Sequence, residues 1–324
     1  MRSTKSPSWI DRLLGTHPTL PPPHVFALDA QELRYGSFHH GAQGYVFEAS
    51  RRQPLPAEAI GSGVLGGAMP EPRVFWEFLR NFVEGLTIRE ASLVLPDSWL
   101  RLAFTETSEL PRKTRARDEV LRWKLKHLVP FRVEDLRISA IEVTPFPEQE
   151  EPYRLLLGFA LETLVSQLEE AFSGVGIEIG QLTNTTLALL ASLEHTVADD
   201  DLAALVMVQD DAFTLSYRYR GEPLIYRYKA FAEEADRDQA LAVRRNLRLT
   251  TTYLHQHFPE LPLRRSFLAA PPESESRWLE WLYDELEVAP EPLAYEHFPL
   301  ARTQIDLTWL ETAPLLGAAS LEVM

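Results

Sequence analysis

Residues 117–143 read RDEVLRWKLKHLVPFRVEDLRISAIEV. Asp118 and Glu119 stand where a helix N-terminus favours negative charge, and Leu121, Leu125 and Leu128 recur on one face. Arg122, Lys124, Lys126 and His127 collect toward the end that favours cations, so the helix has its polarity marked. Pro130 denies Val129 a helical backbone, which ends the helix and turns Val129, Pro130 and Phe131 into an apolar corner. A strand near 136–143 follows, and the spacing predicts a helix docked on a sheet by that corner.

Outward from this stretch, both halves of the chain open in the same way. Segments 25–28, 33–38 and 45–49 read as short strands joined by turns at 29–31 and 39–41, hence an antiparallel meander. The glycine-rich run 61–67 lacks the Lys and Ser/Thr of a phosphate loop and reads as a connector. Val74, Phe75, Phe78, Leu79 and Phe82 recur at helical spacing, and 91–95 returns as a strand. Beyond a Pro- and Glu-rich loop at 145–151, strand, helix, strand and helix alternate to residue 193. The second half repeats the plan: strands at 203–208, 213–219 and 224–228, a helix over about 232–257, a strand at 267–270 and a helix at 277–286. The expected fold is therefore α/β and internally duplicated, as in the two-lobe actin, Hsp70 and sugar-kinase architecture. Its parts are a flexible tail (1–23), a first lobe (24–200), and a second lobe (201–324) with a helical part at about 230–262.

Composition narrows the function. With 324 residues, 45% hydrophobic, the chain is long enough for two cores. Its net charge of -15 argues against a phosphate-backbone binder, so nucleic acid is not an expected partner. No apolar window approaches the roughly 18 to 20 residues of a membrane span, and the start lacks a signal-peptide core, so a cytoplasmic location is expected. The absence of cysteine removes thiol catalysis, thiolate metal sites and disulfides. The pairs His39 and His40, and His255 and His257, lack a third ligand at metal spacing, and no metal site is expected.

Leu93-Val94-Leu95-Pro96-Asp97, followed by the helix and its Pro130-Phe131 ending, resembles the PilM family of type IV pilus assembly proteins and their GspL relatives in type II secretion. The resemblance implies an actin-like fold in which this motif builds a small subdomain inserted in the first lobe at about 92–145. It also implies a cytoplasmic scaffold, peripheral to the inner membrane, among other pilus assembly components. The partner it implies is a PilN-like single-span membrane protein, whose cytoplasmic N-terminal peptide enters the groove between the first lobe and the subdomain. Trp123, Leu128, Val129, Pro130 and Phe131 fall on the corresponding segment, with plain subdomain core as the competing reading. Arg or Lys on the partner peptide would suit an acidic chain.

An actin-like ATPase holds phosphate at the turn after the first strand of each lobe. Backbone N–H groups must approach there, which calls for glycine, and an aspartate positions the metal. Here Asp29 matches the family aspartate but Ala30 follows it, with Glu32 adding charge. In the second turn Met207 stands for the aspartate and Gln209 for the glycine, beside Asp210 and Asp211. A shift of two residues would instead present Asp210 or Asp211 as the metal-side carboxylate. The adenosine loop carries Ala270, Pro271 and Pro272 where paired glycines are expected. These substitutions point to a pseudo-ATPase without a bound cofactor, with ATP and Mg disfavoured. The alternatives are an ATP-binding or ATP-hydrolysing member of the same superfamily, and a GspL-like type II secretion component.

Overall fold

In the computed structural model the described residues are 22–320, apart from 42–43, 58, 62–63, 131, 146–150, 194–195, 210–211, 232–235, 287, 299 and 302–306. The expected tail, Phe131, Asp210 and Asp211 thus lie outside the described residues, except for Pro22 and Pro23 at the end of the tail. The first lobe is built on β1 (His24–Leu28), β2 (Glu32–Gly41), β3 (Gly44–Pro54), β4 (Glu90–Leu95) and β8 (Glu178–Asn184). The second uses β9 (Leu202–Val208), β10 (Ala212–Tyr219), β11 (Glu222–Ala230), β12 (Leu263–Ala269) and β13 (Glu291–Pro292). Their orders, β3-β2-β1-β4-β8 and β11-β10-β9-β12-β13, are the same path walked twice. In each, the first strand pairs antiparallel with the second and parallel with the fourth. The duplication inferred from element order is therefore a duplication of topology.

Two helices cover the outer face of the first sheet, α1 (Pro72–Phe82) and α3 (Glu162–Gly174). Proline at the first turn costs α1 no hydrogen bond, and its Phe75, Phe78, Leu79 and Phe82 form the buried stripe that the periodicity predicts. Phe26 of β1 meets Phe172 of α3 edge to face at 5.0 Å, which fixes sheet against helix. In the second lobe α5 (Asp236–His257) and α6 (Pro272–Tyr283) take the same role, with Trp278 buried.

The lobes are fused by two helices, α4 (Thr185–Ser192) and α7 (Trp309–Ser320). Both are buried nearly all round, as a helix without a polar face must be. One continuous core joins Val25, Val94 and Phe38 of the first lobe, Ala188 and Leu316 of these helices, and Leu205, Met207 and Phe267 of the second. This corrects the expected second-lobe boundary. The chain from Leu300 returns to the first lobe, where β14 (Leu300–Ala301) pairs with β3 and α7 lies on β1, β2 and β4.

The inserted unit is a third sheet, ordered β5 (Arg101–Thr107), β7 (Tyr153–Leu161), β6 (Leu136–Val143), with α2 (Thr114–Lys126) on one face. Its extent is 101–161 rather than 92–145: β4 belongs to the first lobe's sheet, and β7 pairs with both β5 and β6. Helix α2 begins earlier than its acidic pair implied. Lys113 offers no capping side chain and the first turn holds no acid, so Asp118 and Glu119 sit in the second turn. There Glu119 pairs with Arg115 at 3.4 Å.

Candidate functional site

At the turn after β1, the Asp29 carboxylate accepts the backbone N–H groups of Gln31 (2.8 Å) and Glu32 (2.9 Å) and the Arg34 guanidinium (2.8 Å). The aspartate closes its own turn, so the backbone N–H groups of Gln31 and Glu32 are already bound. Ala30 has no positive φ, so the turn avoids the left-handed backbone a glycine would permit. At the second turn the Gln209 N–H donates to the Ala212 carbonyl at 2.8 Å and shuts the hairpin. Met207 points into the seam between the lobes, with its sulfur 4.0 Å from the Thr186 hydroxyl. Ala270 is fully buried in the second lobe's core. No cluster of three His, Asp or Glu poised for a metal occurs among the described residues.

The seam holds one ionisable group that the sequence did not single out by chemistry. Asp97, in the turn after β4, is fully buried. The Tyr226 hydroxyl on β11 donates to its Oδ1 at 2.9 Å, and the Thr186 hydroxyl on α4 donates to its Oδ2 at 3.0 Å. Asn184 caps α4 by accepting the Leu187 N–H at 2.9 Å and donates to the Leu100 carbonyl at 3.0 Å. Burial pushes the Asp97 carboxyl up to about 7, partly offset by these donors. Burial and the neighbouring Asp97 raise the Tyr226 phenol well above its ordinary value. One carboxyl thus ties the exit of β4, the start of α4 and the second lobe's β11 together. Its sequence signal was the Pro96-Asp97 turn together with the capping run Asn184-Thr185-Thr186.

Strand β11 carries further ties, at Glu222, Leu224 and Tyr228. Glu222 accepts the Thr144 N–H at 2.8 Å, the Leu224 carbonyl accepts from Arg154 at 2.6 Å, and Tyr228 lies under the Arg101 guanidinium at 4.2 Å. Arg154 is almost wholly buried, also stacks on Phe104 at 4.2 Å, and is lowered to about 10 by its burial. Two clefts of about 440 and about 420 Å3 flank it, both between the inserted unit and the second lobe.

The apolar corner divides into inward and outward residues. Leu121 and Leu125 are buried, and Val129 packs partly buried against the same core. Trp123 is 59% exposed and Leu128 48% exposed, so the plain-core reading fails for these two. Pro130 is exposed as well. Leu128 lines the smaller cleft with Phe104, Ile225 and Tyr253. That cleft lies between the inserted unit and the second lobe.

Two lobes of one strand order, fused by two buried helices and carrying a small sheet between β4 and α3, define an actin-like fold. A solved structure described as the PilM-PilN type IV pilus biogenesis complex has this fold, with 17% identity, a TM-score of 0.70, and coverage of 94% of this chain and 98% of that one. A protein of actin-like ATPase fold and unknown function from Bacteroides thetaiotaomicron matches with 10% identity, a TM-score of 0.49, and coverage of 85% and 91%. The cytoplasmic domain of EpsL, an inner membrane component of the type II secretion system of Vibrio cholerae, matches with 10% identity, a TM-score of 0.47, and coverage of 91% and 93%. No family model matches the sequence, and no curated protein matches it. No helix among the described residues is long and apolar enough to cross a membrane.

Proposed function

We propose that this chain is a cytoplasmic scaffold of a type IV pilus or related secretion machine, that it is a pseudo-ATPase, and that it holds the cytoplasmic N-terminal peptide of a PilN-like inner-membrane protein. The observation that carries most weight is the full-length likeness of fold to the PilM-PilN structure, in which nearly all of both chains is covered. The closed turns at Asp29 and Gln209 favour a scaffold over an enzyme of the same fold, since nucleotide binding needs those backbone groups free. The exposed Trp123, together with Leu128 at the edge of a cleft, supplies the kind of anchors by which a few residues dominate peptide binding.

Calorimetric titration with a synthetic peptide of the PilN-like partner's N-terminus tests this. Trp123→Ala and Leu128→Ala should each weaken binding by about 1 to 3 kcal/mol. Because both side chains are largely exposed, each truncation should change stability by no more than about 0.5 kcal/mol, so lost binding would not be lost folding. Unchanged affinity in both variants places the peptide elsewhere.

A further inference from the structure

Helix α2 is the electrostatic exception of the molecule. The chain carries 32 basic against 47 acidic residues, yet residues 112–127 hold seven basic residues and only Asp118 and Glu119 as acids. Two of these basic residues are engaged by neutral acceptors: Arg117 donates to the Ala140 carbonyl at 3.2 Å and Arg122 to the Val133 carbonyl. Glu119, one of the two acids, is engaged by Arg115. Lys124 and Lys126, in the last turn, have no ion-pair partner among the described residues. Lys124 instead sits over the exposed Trp123 ring at 5.3 Å, and His127 meets that ring edge-on at 5.2 Å. An indole more than half exposed, beside Lys124 and on the helix that carries Lys126, is an unpartnered surface whose local sign opposes that of the whole protein, and Leu128, just past the helix end, lines a cleft.

We infer that the outer face of α2 docks an acidic, apolar segment of a protein partner, with an apolar side chain entering the cleft at Leu128 and carboxylates over Lys124 and Lys126. Local charge governs a contact of this size, because exposed charges farther off than about 8 Å are largely screened at physiological salt. The expectation of an Arg- or Lys-bearing partner, drawn from net charge, is therefore reversed at this face. A lipid surface fits less well. A bilayer is flat and cannot fill a cleft of about 420 Å3, and an anionic one would meet the acidic remainder of the chain. This inference rests on the corner being a partner surface and adds the partner's chemistry.

The test uses the full chain and three probes: a labelled helical peptide of Leu and Glu, its counterpart with Lys in place of Glu, and vesicles of phosphatidylcholine with phosphatidylglycerol. The acidic peptide should bind at least about tenfold more tightly than the basic one at low salt, and the advantage should shrink as salt rises. Lys124→Glu with Lys126→Glu should abolish that preference, and Trp123→Ala should weaken the acidic peptide about tenfold while leaving the melting temperature unchanged. Equal binding of the two peptides, tighter binding of the basic one, or vesicle binding lost in Trp123→Ala would each overturn the inference. Basic-peptide binding that is sensitive to Trp123→Ala would sink it and yet leave the corner standing as a peptide site.

Discussion

Replacing Gly317 by alanine is expected to lower stability by about 3 kcal/mol or more, at or beyond the upper end of ordinary overpacking. A Cβ at Gly317 of α7 would lie 1.8 Å from the Ala188 carbonyl oxygen of α4 and 2.5 Å from its carbon. The obstructing atoms are backbone, so no rotamer change relieves them and the two helices must part. They are the helices that fuse the lobes, and α7 also covers β1, β2 and β4, so the strain spreads through the shared core. At about 1.5 °C per kcal/mol for a chain of 324 residues, the melting temperature should fall by roughly 4 to 5 °C or more. Gly158→Ala is the control: its Cβ would meet only Leu102 Cδ2, at 3.7 Å, and its loss should be small. Equal melting of Gly317→Ala and the parent would mean that α4 and α7 do not cross as described.

Asp97→Asn is expected to gain on the parent protein as pH rises. The Asp97 carboxyl ordinarily titrates near 3.8 and is pushed up to about 7 by burial in the folded chain. Between those values the folded protein holds a proton that the unfolded chain releases. Its stabilising contribution is thus complete below about pH 4 and is lost as pH rises through about 7. From pH 5 to pH 8 the parent should lose about 2 to 3 kcal/mol relative to the variant, whose amide does not titrate. Tyr226 and Thr186 can rotate their hydroxyls to suit the amide, which keeps the hydrogen bonds. Glu162 and Glu291 are shifted the other way, lowered first by hydrogen bonds from Arg137 and Arg265, so the comparison must be with the variant and not with the parent alone. Denaturant titrations of both proteins at the two pH values measure it. A constant difference would show that Asp97 is not buried as a neutral acid.

Strands with one strict alternation were legible from sequence. Tyr217 and Tyr219 on β10, and Leu224, Tyr226 and Tyr228 on β11, carry a period of two over whole strands, and the meander followed from short turns. Helix α7 was placed in order but assigned to the wrong lobe. A segment apolar on every side names no face, so its partner is fixed only by what the folded core leaves open. The start of α2 was missed because nothing caps it, and charge preference drew the boundary toward Asp118. Trp123 was singled out only through the family resemblance, with subdomain core as the competing reading, although Glu119 and His127, one turn away on either side, mark a solvent face. Asp97 stayed hidden as chemistry because a lone aspartate after proline has the signature of an ordinary turn. Its burial is set by Tyr226, 129 residues away along the chain.

The proposal that this actin-like chain is a scaffold rests on two turns whose groups are already committed: Asp29 to its own turn and Gln209 to Ala212, with Met207 packed in the seam. Restoring glycine at Ala30 alone should not recover binding, because Asp29 would still hold the N–H groups of Gln31 and Glu32. Isothermal titration of the full chain with Mg-ATP is the direct measurement. The account predicts no heat beyond dilution up to millimolar nucleotide, and a saturable isotherm with micromolar Kd would contradict it.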